Sequence, residues 1–220
     1  MSLTRGLVFS SEVSLGTMPD VATTIDRSRE RNNGTNTSIT YTRLPSGLWV
    51  HTQNTNTDRV SLGTPSSINF TYHNFTILAW INLTTTATNT IFSRINTGND
   101  GWAFYIDANG AITAYSLSGG GGDVSYSSNG LISLNTWYFV SMIRNGTDCY
   151  TYLNGLDVTN THGVHSNPSD LSAFIAYLGN YSTLVLGLLG YYSIVNIFQR
   201  VLSAAEILKL YNRDKWMFGL

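Results

Sequence analysis

Charge is scarce in this chain. Lys, Arg, Asp and Glu make up 11% of its 220 residues, against a usual share of about 25%, and the formal net charge is −1. Arg27, Arg29 and Arg31 alternate, but Asp26 and Glu30 interleave with them, so this cluster reads as a solvated loop and no nucleic-acid partner is expected. Cysteine is almost absent: Cys149 stands alone and excludes an intramolecular disulfide. No apolar run approaches the roughly 18 residues of a bilayer span, so no membrane insertion is expected. The opening residues show no charged segment followed by an apolar one, so no signal peptide is visible and the chain reads directly into a first strand.

What replaces charge is neutral polarity. About one residue in three is Ser, Thr or Asn, while 42% are hydrophobic and the aromatics comprise 5 Trp, 13 Tyr and 9 Phe. That is enough apolar mass for one large core. Period-2 alternation recurs along the chain. Asn74–Leu83 sets Phe75, Ile77, Ala79 and Ile81 against Thr76, Leu78, Trp80 and Asn82, apolar on much of both faces, as a central strand requires. Trp137–Arg144 alternates in the same way. Asn109-Gly110, Asn145-Gly146 and Asn154-Gly155 sit between such runs as hairpin signals. Leu156–Thr161 reads as one further strand, and Pro19 to about Leu44 as a long loop or weakly ordered edge. These features predict an all-β antiparallel sandwich.

One helix closes it. Ser203 is a good N-cap, Glu206 completes a capping box, and Leu202 and Ile207 form a hydrophobic staple. The reading gives a single domain over residues 1–212 and an apolar tail over 213–220, in which Trp216, Met217 and Phe218 look exposed and are candidates for an assembly anchor. The alternative is that the tail folds back onto its own sandwich.

Five pieces, in order, resemble a known family. They are Asp26-Arg-Ser28 through Asn32-Asn33-Gly34-Thr35; Arg59–Gly63 followed by Asn74–Ile81; Gly101–Gly110; Leu134–Val140 with Leu153-Asn-Gly155; and Gly190–Tyr211. In this register the chain resembles the laminin-G-like, concanavalin-A-like lectin/glucanase jelly rolls over nearly its whole length. The resemblance implies a concanavalin-A-like jelly roll with one short C-terminal helix. It says little about function, because that fold carries lectins, adhesion modules, glycosidases and structural proteins. Where relatives carry an acidic pair in the last strand this chain has Ser193-Ile194, and Arg29 stands where glycine is usual. The acidic pair often supports a structural calcium; here Asp26, Asn32 and Asn33 remain as candidate oxygen ligands, the alternative being that they shape turns. No other cofactor is expected.

Catalysis finds little support. Glu12, Glu30 and Glu206 are the only glutamates, and Glu206 is taken up by the capping box. The alternating carboxylates of sandwich glycosidases are missing, so a glycoside hydrolase is a distant alternative. His162 and His165 lie in a loop without a third ligand, and Cys149 has no neighbouring His. The Gly119–Gly122 run lacks the Lys-Ser/Thr of a phosphate loop and reads as a flexible connection. Recognition remains. Trp102, Tyr105, Tyr115 and Tyr126, with Asn99, Asp100 and Asp123, are the candidate ligand-binding residues, because sugars stack on aromatic faces while amides and carboxylates take their hydroxyls.

The expectation is therefore a non-catalytic recognition or structural module, displayed on a virus (phage) particle as a decoration or fibre-associated adhesion protein. Its partners would be other virion proteins or itself through the tail, and glycans. The alternative is a secreted or cell-surface carbohydrate-binding module; the seven Asn-x-Ser/Thr sequons do not decide between them, since several arise by chance at this composition.

Overall fold

The computed structural model describes residues 3–11, 15–96 and 98–220; Glu12 lies outside them. The strands in chain order are β1 (Leu7–Ser10), β2 (Thr23–Thr24), β3 (Gly34–Thr37), β4 (Thr40–Arg43), β5 (Trp49–Gln53), β6 (Arg59–Gly63), β7 (Phe75–Leu83), β8 (Asn89–Asn96) and β9 (Asp100–Ile106). They continue as β10 (Ile112–Ser118), β11 (Gly121–Ser127), β12 (Tyr138–Asn145), β13 (Asp148–Leu153), β14 (Leu156–Asp157), β15 (Thr159–Thr161), β16 (Ala176–Leu178) and β17 (Gly190–Phe198), followed by helix α1 (Ala204–Asp214). One sheet runs β14-β13-β12-β7-β17-β5-β4, with β1 also on β17; the other runs β15-β11-β10-β9-β8-β16-β6-β3-β2. Every pairing is antiparallel.

The alternation seen in the sequence separates two cores. Phe75, Ile77, Ala79 and Ile81 of β7 join Phe92, Phe104 and Leu178 of the facing sheet between the layers. Leu78 and Trp80 point the other way, into a second cluster covered by Leu202, Ile207, Leu210 and Phe218. This is why β7 is apolar on both faces: one side meets the other sheet and the opposite side meets the helix. The capping box forms as read, with Ser203 accepting from the Glu206 N–H and the Glu206 side chain reaching back to the N-cap backbone. Leu202 and Ile207 are both buried.

Three readings change. Leu156–Thr161 is two strands in different sheets, β14 pairing with β13 and β15 with β11. The switch occurs where Asp157 Oδ1 accepts both the Thr159 N–H and its hydroxyl, a local turn that competes with the ladder. The four-glycine run is a tight hairpin: Ser118 pairs with Gly121, and Gly119 and Gly120, at φ 57° and 84°, form a two-residue turn with both central residues left-handed. The Pro19–Leu44 segment contributes three edge strands, β2, β3 and β4.

For the tail, the fold-back alternative is the one the structure takes. α1 runs past residue 212 to Asp214 and continues as a 3-10 turn over Lys215–Phe218, so the fold does not stop at 212. Phe218 is buried, stacked on Trp80 at 4.1 Å and tilted against Trp137 at 4.7 Å. The Ser46 hydroxyl donates to the Met217 carbonyl at 2.6 Å. Phe218 therefore latches the chain end onto its own sheet, and Met217 packs against the same cluster. Trp216 alone of the three is exposed, at 56%.

Candidate functional site

The outer face of the second sheet gathers tyrosines from separate stretches of chain. Ladder register sets two rows across it. Tyr177, Ser93, Ala103, Tyr115 and Val124 lie opposite one another across β16, β8, β9, β10 and β11. The next row is Thr90, Tyr105, Thr113 and Tyr126. Ser93, Ala103, Thr90 and Thr113 are buried, while Tyr105, Tyr115, Tyr126 and Tyr177 are half-buried. Small buried side chains thus alternate with half-buried tyrosines along both rows. At about 4.8 Å per strand, the Tyr177–Tyr115 row spans about 14 Å, enough for a short oligosaccharide.

Tyr105 and Tyr115 meet edge to face at 6.4 Å. Tyr181, from the loop after β16, lies close enough to Tyr115 and Tyr105 for both to act on its ionisation. Burial first, then Tyr115 and Tyr105, pushes Tyr181 up to about 12. Burial with Tyr115 and Asp107 does the same for Tyr105, again to about 12. Tyr115 is raised by burial and by Asp123. All three stay neutral at physiological pH and offer both a donor and an acceptor oxygen. Asn180 sets Tyr181 in place: its amide donates to the Asn56 and Asp58 carbonyls, and its own carbonyl oxygen receives the Ser93 hydroxyl. Gly122 makes room for Tyr115, since a Cβ there would lie 2.8 Å from the Tyr115 hydroxyl.

The other sequence candidates are elsewhere. Trp102 points into the core, 1% exposed, with Nε1 donating to the Phe70 carbonyl at 2.6 Å and the Arg144 guanidinium over its ring at 4.6 Å. It alternates with Tyr105 by an odd number of residues, which puts it on the opposite face. Asn99 sits in the β8–β9 turn, its carbonyl receiving the Gly120 N–H. Asp100 is buried and accepts from the Ser169 N–H, the Ser169 hydroxyl and the Gly119 N–H, contacts that lower its pKa. Both tie strand ends together. Asp123 stands at the rim, receiving the Ser166 N–H at 3.4 Å. Tyr177 and Tyr181 were not read from the sequence as site residues; Phe174–Asn180 reads there as a strand, which gives Tyr177 a face but not its neighbours.

The early loop is organised by Asp26, which is fully buried. Oδ1 accepts the Ser10 and Ser28 N–H groups at 2.9 and 2.8 Å; Oδ2 accepts the Ser28 hydroxyl and the Asn32 N–H at 2.8 and 2.7 Å. Asn33 Oδ1 receives the Asp26 N–H, and the Asn32 amide donates to Val8 and Ser67. The groups turned toward this carboxylate are donors, the arrangement that holds a turn. Among the described residues, no three His, Cys, Asp or Glu are grouped to hold a metal ion. Ile194, at the position of the acidic pair, lies in the cluster beneath the helix at φ 50° beside a bulge in β17.

His165 is structural too, while His162 is exposed. His165 is fully buried between the Ser116 and Ser125 hydroxyls at 2.8 and 2.9 Å, and burial lowers it to about 4. On the tyrosine face the flanking carboxylates have local duties: Asp107 Oδ1 accepts the Asn109 and Ala111 N–H groups of its own turn. Among the described residues, no pair of carboxylates or histidines is hydrogen-bonded together on this face.

Residues 54–208 match the family model of the concanavalin A-like lectin/glucanases superfamily. No curated protein sequence matches. Among solved structures, the binding domain of Paraclostridial Mosquitocidal Protein 1 superposes with a TM-score of 0.73 at 21% identity over 96% of this chain and 53% of that one. The botulinum neurotoxin serotype G binding domain gives 0.65 at 16% identity, over 86% and 48%. This chain thus spans about half the length of those toxin domains. Domain 4 of AbnA, a GH43 extracellular arabinanase from Geobacillus stearothermophilus solved with arabinotriose, gives 0.67 at 15% identity, over 93% of this chain and 98% of that one.

Proposed function

This chain belongs to the concanavalin A-like lectin/glucanases superfamily, and from that premise we propose that it is a non-catalytic module that binds carbohydrate on the tyrosine face. The observation that carries the proposal is the two-row placement of Tyr105, Tyr115, Tyr126 and Tyr177, with Tyr181 beside them, over a floor of small buried side chains. Ring faces take the apolar C–H side of a sugar, and neutral phenols exchange hydrogen bonds with its hydroxyls. A weakly charged face suits a neutral ligand. Two likenesses support this reading: an arabinanase domain solved with arabinotriose and toxin binding domains share the fold.

The test is titration calorimetry with neutral oligosaccharides, arabinotriose first, on wild type, Tyr115→Ala and Tyr105→Ala. Loss of one stacking ring should weaken binding about tenfold, the half-buried position lowering the thermal midpoint by only about 2–8 °C so that each variant stays folded. Binding that survives both substitutions intact would remove the face from consideration. For the setting, display on a virus particle is carried forward as a proposal supported by the Ser/Thr/Asn-rich, low-charge composition. Mass spectrometry of purified particles tests it, and recovery of the protein only from cell surfaces or culture medium would replace it with the secreted alternative.

A further inference from the structure

Around the last turn, a large ring stands outside the fold beside a hole that the fold leaves open. Phe218 and Met217 pack onto the sheet, while Trp216 stays 56% exposed and Leu220 51%. The 3-10 turn over Lys215–Phe218 sets this difference: at about three residues per turn, positions 216 and 218 project to different sides. Against the exposed ring lies the groove of about 390 Å³, lined by Leu44, Pro45, Trp137, Met217 and Phe218 with Trp216 as one wall. Among the described residues, no charged side chain lines it.

Both parts are fixed by the fold. The Leu44 N–H donates to the Leu48 carbonyl and the Gly47 N–H to the Leu44 carbonyl, each at 2.8 Å, which closes the turn on one side of the groove. The Ser46 hydroxyl ties that turn to the Met217 carbonyl. Trp137 is held between Phe218 at 4.7 Å and Tyr191 at 6.4 Å. On the other side, the Gly219 N–H donates to the Trp216 carbonyl at 3.3 Å and the Leu220 N–H to the Lys215 carbonyl at 3.2 Å. Phe218 already fills the inward position against Trp80, so Trp216 cannot turn inward without unseating it.

We infer that a second copy of this chain docks here, each copy placing its Trp216 ring in the other's groove about a two-fold axis. Such an interface uses one patch twice, so the patch must be complementary to itself. A ring beside an open groove meets that requirement, and the partner's ring completes the site. The uncharged lining suits an indole, whose N–H needs an acceptor once buried. The Ser46 oxygen, which donates its proton to Met217, keeps a lone pair for it. The ring and groove are only part of the about 800 Å² per partner that a stable interface buries, so the dimer is reversible and micromolar or weaker. The charged residues flanking the lining in sequence, Arg43 and Lys215, are both positive and are repeated across the axis. Added salt therefore tightens this dimer, where a charge-driven contact would loosen. The surface is separate from the tyrosine face and does not depend on it.

The experiment is sedimentation velocity with light scattering on the full chain, from about 5 to about 500 µM, a span that brackets micromolar association. Wild type should pass reversibly from monomer to dimer and stop at two. Trp216→Ala removes the ring, and Pro45→Glu sets a charge in the groove while leaving the ring; each should weaken association at least about thirtyfold. Both positions are exposed, so both variants should unfold cooperatively near the wild-type midpoint. Mixing them restores one of the two ring-in-groove contacts, and the mixture should associate more than either variant alone. Tyr115→Ala should dimerise as wild type does. A wild type that stays monomeric to the highest concentration overturns the proposal, as does association equal in Trp216→Ala. If that monomer still takes up an apolar dye that Pro45→Glu excludes, the groove belongs to a different apolar partner. Growth beyond two copies overturns the two-fold arrangement, and a mixture no better than its components overturns the reciprocal contact.

Discussion

Phe218→Ala is the substitution that most directly tests how this fold ends. The Phe218 ring stacks on Trp80 at 4.1 Å with planes 15° apart and touches Trp137 at 4.7 Å. In a closed core, Phe→Ala costs about 3–5 kcal/mol, part of it for the cavity left behind. Phe218 lies beside a groove of about 390 Å³ lined by Leu44, Pro45, Trp137 and Trp216, so water can enter the gap and the cavity part shrinks. What remains is the transfer of the ring, about 1.5–3 kcal/mol, plus about 0.5–1.5 kcal/mol for the aromatic pairs. The expected loss is therefore about 3 kcal/mol, and the thermal midpoint should fall by about 6–12 °C for a chain of this size. Urea unfolding followed by tryptophan emission reads it, because Trp80 and Trp137 both lose their neighbour. Trp216→Ala, 56% exposed, should stay within about 0.5 kcal/mol. If the two substitutions cost the same, or Phe218→Ala costs under about 1 kcal/mol, the ring is not a latch. Light scattering on the same proteins then bears on the anchor: assembly lost with Trp216→Ala alone would make that exposed ring the contact.

Three further outcomes are expected. Asp26→Ala should cost about 3 kcal/mol in urea unfolding, because it strands buried N–H groups of Ser10, Ser28 and Asn32, and Asp26→Asn should recover little, since an amide turns donors toward donors. Ser203→Ala should cost about 1 kcal/mol through the lost cap; no change would mean helix packing alone holds α1. Burial lowers His51 to about 3 and His165 to about 4, so from about pH 6.5 downward only the unfolded chain takes up these protons. Stability should fall by about 1.4 kcal/mol per pH unit for each histidine, the His165 contribution levelling near pH 4; a urea midpoint that is flat between pH 7 and 5 would contradict their neutral burial.

Much of the fold was legible because it is local. The two-faced alternation of Asn74–Leu83, the Asn-Gly turns and the Ser203–Glu206 capping box each depend on residues within a few positions, and each forms as read. The tail was less legible. Phe218 looks exposed in sequence because its partner Trp80 lies 138 positions earlier, on a strand whose outward face gives no sign of what covers it. Trp102 was misplaced although its odd spacing from Tyr105 on the same strand already sets the two on opposite faces; only the pairing of β9 within its sheet decided which of those faces is buried.

Composition and short-range pattern by themselves determined a weakly charged antiparallel sandwich without an intramolecular disulfide and with one capped helix, because propensity, turns and caps act over a handful of residues. Only the tertiary structure decided which side chains share a surface. Strand order brought Tyr177 onto the same face as Tyr105 and Tyr115. Such neighbours are set by ladder register and by which strands pair, and these follow from burying two apolar faces of the whole chain at once.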